Sequence, residues 1–114
     1  MLTKREIIDY CLTYQDSFED YPFEEDNWAA IRHKSNAKTF AFIYEKDGQI
    51  CLNLKCEPMK AEFLRSAFEA VIPAYHMNKT HWNTVFLNKI NENEVYEMIK
   101  NSFELTMPKK NIKN

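Results

Sequence analysis

Hydrophobic and polar positions alternate along this chain with two different periods, and the switches between them outline its elements. Ile7, Ile8, Cys11, Leu12 and Phe18 recur at helical spacing. Thr3 and Glu6 stand ahead of them in the T-x-x-E pattern of a capping box. A first helix is therefore predicted, broken by DYPFEED, where Pro22 and the packed acids disfavour further helix. Three runs of strand character follow: WAAIRHK (28–34), TFAFIYE (39–45) and QICLNLK (49–55). The last two are joined through Asp47-Gly48, a strong hairpin signal that contains the only glycine of the chain. In the third run Ile50, Leu52 and Leu54 share one face, and Cys51, Asn53 and Lys55 share the other. That alternation predicts a sheet covered on one side and at least partly open on the other.

Pro58 opens a second helix at a position where its missing N–H costs little. Its predicted buried stripe is Phe63, Leu64, Ala67, Phe68 and Val71, ended by Pro73. WNTVFL (82–87) reads as a further strand. Asn91 and Glu94 cap a final helix with Val95, Met98, Ile99 and Phe103 on its inner side. The order α-βββ-α-β(β)-α predicts an α+β fold, a single-domain two-layer sandwich with a mostly antiparallel sheet and helices on one face. The domain spans 1–107, and PKKNIKN (108–114) reads as a flexible basic tail.

Composition narrows this reading in three ways. With 114 residues, 45% hydrophobic and 14% aromatic, the chain suffices for one packed core and is not disordered. No apolar run approaches the roughly 18 residues that span a bilayer. The N-terminus MLTKREIIDY lacks the apolar core of a secretory signal, and three cysteines suit a reducing compartment, so a cytoplasmic protein is expected. The net charge of −2 conceals an uneven distribution: 11 acids and 7 bases in residues 1–57, against 6 acids and 8 bases in 58–114. An overall pI near 5.9 is unlike that of a dedicated nucleic-acid binder, and leaves room only for a local basic surface.

The chemistry concentrates in AYHMNKTHW (74–82), where Tyr75, His76, Asn78, Lys79, His81 and Trp82 fall within nine positions. Cys51-x4-Cys56 and His76-x4-His81 superficially resemble a zinc site. Yet Cys51 and Cys56 are an odd number of positions apart, so a regular strand would aim them at opposite faces. No metal site, cofactor or catalytic residue is expected: Cys11 lies on a buried stripe, and one glycine cannot build a phosphate-cradling loop. Binding suits the segment better. Histidine and Asn78 donate and accept hydrogen bonds, and Lys79 carries fixed charge. Trp82 is either a stacking platform or a core anchor at the start of a strand.

KTFAFIY, ICLNLKCEP, PAYHMNKTHWNTVFL and NSFEL together resemble the MmcQ/YjbR family of small bacterial proteins, from about Tyr21 to Leu105. Y-H-M-N-K-x-H-W-N-T-V is the most specific part. The resemblance implies a frataxin-like (CyaY-like) α/β sandwich and a DNA-binding protein with a double-wing motif. The residues it carries over are Lys38, Lys55, Tyr75, His76, Asn78, Lys79, His81 and Trp82. SNAK stands where the family has a more glycine-rich link, which implies a stiffer first wing. Strand parity adds Arg32, Lys34 and Asn53 as secondary candidates on the open sheet face. Lysine and arginine would meet the phosphates of double-stranded DNA and leave base edges to Asn and His. The acidic run 19–26 would limit the footprint. A small anionic ligand in a concave site, or a protein partner meeting the aromatic and acidic surfaces, are the alternative readings.

Overall fold

The computed structural model describes residues 1–24 and 27–109. Its elements are α1 (Lys4–Cys11), β1 (Ser17–Asp20), β2 (Ala29–His33), β3 (Thr39–Lys46), β4 (Gln49–Lys55), α2 (Pro58–Ala67), β5 (Val71–Pro73), β6 (Trp82–Phe86) and α3 (Glu92–Thr106). A short 3-10 turn, Leu87–Lys89, leads from β6 into α3. All six strands form one antiparallel sheet in the order β1-β2-β3-β4-β6-β5. The three helices pack on one face of it, where Ile7, Ile31, Ile43, Leu52, Val85 and Ile99 form the centre of the core. This is the α+β sandwich the hydrophobic pattern predicts.

Local signals explain most of these boundaries. Thr3 and Glu6 close the capping box: the Glu6 N–H donates to Thr3 Oγ1 at 3.1 Å and the Thr3 N–H to Glu6 Oε1 at 2.8 Å. Asp47 (φ 53°) and Gly48 (φ 77°) both lie in the left-handed region, as a two-residue hairpin between twisted strands demands. No atom lies within 4 Å of where a Gly48 Cβ would stand, so backbone freedom alone selects glycine there.

Three expectations need correction. α1 ends at Cys11, and Phe18 belongs to β1, opposite Arg32 of β2. The order therefore gains a strand before the meander, one that draws its hydrogen bonds from a distant partner and leaves no helical or hairpin signature of its own. α2 stops at Ala67, because Phe68 already has extended dihedrals (φ −131°, ψ 122°). Val71–Pro73 is an edge strand, and Pro73 at its end gives up a donor that an edge does not need. Finally, α2 buries Ala61 and Leu64 with Phe68 partly covered, whereas Phe63 and Ala67 are exposed. The true stripe is the narrower i, i+3, i+7 set.

Register sets which side chains face away from the helices. The pairs Phe18–Arg32, Asp20–Ala30, Ala30–Phe42, Phe42–Asn53, Tyr44–Cys51, Asn53–Thr84 and Lys55–Trp82 place all of these residues on the far face. A bulge between Ile31 and Arg32 inserts Phe40 as an extra residue of β3. Phe40 turns to the helix side, where it meets Phe103 and Tyr14.

Candidate functional site

The far face is covered at its centre and keeps partial exposure around it, at Phe18, Arg32, Phe42, Lys55 and Trp82. Ala30, Tyr44, Cys51, Asn53 and Thr84 are each at most 1% exposed, which corrects the expected exposure of Cys51 and Asn53 on the partly open face. Two segments cover it: Trp28 ahead of β2, and residues 74–81, which leave β5 and arch back over the sheet before β6 begins. Trp28 stacks on Tyr44 with centroids 3.8 Å apart and planes at 2°. Beneath the arch, Asn53 Oδ1 accepts the Tyr44 hydroxyl at 2.8 Å and the Thr84 hydroxyl at 2.6 Å. Asn53 Nδ2 donates to the Tyr75 carbonyl at 3.1 Å, and the Tyr75 N–H donates to Thr84 Oγ1 at 3.1 Å. Burial holds the Tyr44 hydroxyl well above its ordinary pKa, so it remains a donor. Asn53 is thus an internal clamp, not a surface reader of bases.

Arg65 of α2 clamps the other side of the arch. Its Nε donates to Asn83 Oδ1 at 2.6 Å, and its Nη2 donates to the carbonyls of Lys79 and Trp82. Asn83 in turn donates to the Ala61 carbonyl at 3.3 Å. Between the clamps the chain turns tightly. Asn78 Oδ1 accepts the Thr80 N–H at 2.9 Å, and the Asn78 carbonyl accepts that of His81 at 3.2 Å. His76 sits at φ 60°, a left-handed conformation uncommon for a non-glycine residue. With the backbone held in this way, the side chains of His76, Asn78, Lys79 and His81 are all exposed.

The remaining candidates divide between structure and surface. Tyr75 lies under Lys46, whose Nζ is 4.8 Å from the ring centroid. Trp82 is half-buried, 6.0 Å from Phe42. Arg32 is occupied by Asp20 at 2.9 Å and the Ala37 carbonyl at 2.9 Å. Lys34 and Lys38 are exposed and Lys55 is half-exposed. Ala37 (φ 61°) supplies the left-handed step of the β2–β3 turn in place of glycine. Asn36 ties that turn to the Thr106 carbonyl at the end of α3, 2.9 Å away.

Sheet register brings the exposed bases together. The His33 N–H donates to the Lys38 carbonyl at 2.9 Å, Ala41 pairs with Leu54, and Lys55 pairs with Trp82. Lys34, Lys38, Lys55 and His81 therefore leave the same end of four adjacent strands, with Lys79 in the arch beside them. At about 4.8 Å per strand the row spans roughly 14 Å. Asp16 and Glu57 are carboxylates of that same end. Glu45 and Asp47 lie at the opposite end, in and beside the β3–β4 turn.

A separate recess of about 220 Å3 opens between Phe23, Trp28, His76 and Met77. Cys51 and Cys56 are buried on opposite faces of the sheet, so they cannot ligate one ion together. Burial pushes the thiols of Cys11 up to about 12 and Cys51 up to about 11, and raises that of Cys56, so none is a ready nucleophile. Glu25, Asp26 and Lys110–Asn114, parts of the acidic run and the tail, lie outside the described residues. Sequence reasoning missed Arg65, Tyr44, Thr84 and Trp28. Parity gave no warning, since it set Asn53 on the face expected to be open; the Asn53–Thr84 pairing that buries both comes from the register of β4 with β6.

The comparisons with known proteins agree with the fold. The model of the YjbR family matches residues 12–105. The chain is 36% identical to YyaQ of Bacillus subtilis over 93% of its length and 99% of that protein's. It is 28% identical to YjbR of Escherichia coli K12, covering 90% and 86% of the two chains. A crystal structure of a Pseudomonas syringae protein superposes with a TM-score of 0.83 at 32% identity, over 93% of this chain and 100% of that one. One from Deinococcus radiodurans gives 0.82 at 28% identity, over 92% and 78%.

Proposed function

We propose that this chain, which belongs to the YjbR family, binds DNA weakly and mainly through its phosphates, at the basic end of the sheet. The observation that carries the reading is convergence. Lys34 and Lys38 of the β2–β3 turn, Lys55 at the end of β4 and Lys79 of the arch come from three separate segments, yet register and the clamped arch bring them to one end of the fold. Among the described residues none of the four is in a salt bridge. The β2–β3 turn and the arch are the two projections flanking this row, and both are pinned by side-chain hydrogen bonds rather than left to glycine.

Lysines supply point charges to phosphate oxygens, while the exposed tips of His76, Asn78 and His81 are placed to meet sugar or base edges. Asn53, Arg65 and Arg32 act indirectly, by holding the projections in place. No catalytic step is assigned: the reading is of a binding module. Three or four neutralised phosphates give modest affinity that falls steeply with salt, consistent with an acidic protein carrying one basic end.

Fluorescence anisotropy of a labelled random-sequence duplex, titrated at several salt concentrations, tests this. Each of Lys38→Ala, Lys55→Ala and Lys79→Ala is expected to weaken binding and to reduce the slope of log K against log salt by about 0.9. Absence of binding at low salt, where electrostatics act at longest range, would end the proposal.

The recess beside Trp28 supports a second reading, a small anionic ligand whose apolar ring lies against Trp28 and whose charge faces His76. Saturable binding of such a compound with little salt dependence, lost in Trp28→Ala and retained in Lys38→Ala, would favour it over the first.

A further inference from the structure

The helix face of the sheet is covered unevenly. α1 and α3 lie over β2, β3 and β4, and α2 lies over β5 and β6. Between α2 and α3 a groove of about 450 Å3 remains, floored by Leu54 and Val85. Next to it α2 presents Met59 and Phe63, one turn apart and 87% and 65% exposed. Two large apolar side chains at i and i+4 on a solvent-facing surface, beside an unfilled apolar groove, form a protrusion and a recess on one patch.

We propose that a second copy of this chain covers the patch, in a two-fold dimer in which Phe63 of each copy enters the α2–α3 groove of the other. A two-fold interface must be self-complementary, so a protrusion and its recess have to lie side by side on one surface. The charges on the two walls satisfy the same condition. Lys60 stands on the α2 wall, and Glu94 and Glu97 stand on the α3 wall. α2 departs from the basic end of the sheet, following β4, and α3 returns towards that end, so the two helices are antiparallel. A two-fold axis passing near Phe63 sets the two α2 helices antiparallel to each other. Lys60 of each copy then arrives at the Glu94 end of the other's groove, and opposite charges meet twice. The α2 helices end up flanked by the α3 helices, with the apolar side chains between them. This inference is independent of DNA binding, because neither Phe63 nor Glu94 belongs to the basic end.

Sedimentation equilibrium of the full chain from micromolar to near-millimolar concentration reads the mass. The wild type is expected to approach twice the chain mass, and Phe63→Asp to raise the dissociation constant at least about tenfold. Circular dichroism and thermal midpoint should be unchanged by this substitution, since Phe63 is largely exposed. Lys60→Glu and Glu94→Lys should each weaken self-association. Mixing those two single variants should restore it, because a mixed dimer pairs Glu with Lys at one contact and Lys with Glu at the other. A wild type that stays monomeric throughout, a Phe63→Asp chain that dimerises as well as wild type, or a mixture no better than its components would each overturn the proposal.

Discussion

Asn53 shows how a single residue changes meaning once its neighbours are known. On strand parity it is a polar group on an exposed face; in the fold it is 0% exposed and joins Tyr44, Thr84 and the Tyr75 carbonyl. Asn53→Ala would remove three hydrogen bonds from this buried site. Tyr44 and Thr84 would retain only each other, at 3.5 Å, and the Tyr75 N–H. Each group left unpaired costs about 1–3 kcal/mol where no water replaces the bond. A total loss of about 3 kcal/mol is expected by urea unfolding, against less than about 0.5 kcal/mol for the exposed Lys79→Ala. Equal midpoints for the two variants would contradict the clamp. His33 is the second case. It is 3% exposed and bonded through Nε2 to Thr106 Oγ1 at 2.7 Å. The Thr106 hydroxyl also lies within hydrogen-bond distance of the Ser102 carbonyl, at 2.8 Å, so imidazole and hydroxyl share one buried network. Burial holds the His33 pKa below the ordinary 6.5. As pH falls, the unfolded chain therefore takes up the proton first. Its contribution to stability is complete above about 6.5 and declines as pH falls towards the folded-state value. Unfolding midpoints at pH 8 and pH 5 should differ less in His33→Gln than in wild type. Glu19, whose carboxyl Arg5 holds below its usual range, contributes loss only at lower pH, so the two windows separate.

At the scale of elements, the arch is the part that most needs explaining, because 74–81 has neither a helix nor a ladder to satisfy its backbone. Arg65 on one side and Asn53 on the other supply what secondary structure does not. Arg65→Ala is expected to cost about 1.5–3 kcal/mol, the range for hydrogen bonds to a charged group. Amide exchange at Lys79–Trp82 should quicken more than in the β3–β4 hairpin; uniform protection across both would argue against a clamp. The same scale separates what could be read locally from what could not. The first helix start, the Asp47-Gly48 hairpin and the Pro58 helix start each depend on residues within four positions, and each is found where the sequence puts it. β1 and β5 are four and three residues long and exist because β2 and β6 lie alongside them. Their signals are in partner strands, out of reach of a periodicity count.

Over the whole molecule, the acidic pI and the basic end coexist because charge is sorted by position in the fold. Asp16 and Glu57 weaken the field at the basic end. On the proposed DNA-binding reading, Asp16→Asn with Glu57→Gln should therefore raise duplex affinity severalfold at low ionic strength. The gain should fade towards about 1 M salt, where the screening length is about 3 Å. A gain that persists at high salt would mean that the substitutions act through structure and not through the field. Among the described residues no helix is long and apolar enough to cross a membrane.

The amino-acid sequence by itself determined the two-layer α+β plan, the helix caps, the hairpin and the identity of most core positions. All of these follow from periodicity and from contacts a few residues apart. Its AYHMNKTHW string also carried the resemblance to the YjbR family, to which the chain belongs. Which of those side chains are buried and which are displayed was decided only in three dimensions. Asn53, Tyr75 and Trp82 went inward or under cover while His76, Asn78, Lys79 and His81 stayed out, because the arch folds over a face that parity alone leaves bare. The gathering of Lys34, Lys38, Lys55 and Lys79 at one end likewise depends on register between distant strands, which no local window of the sequence contains.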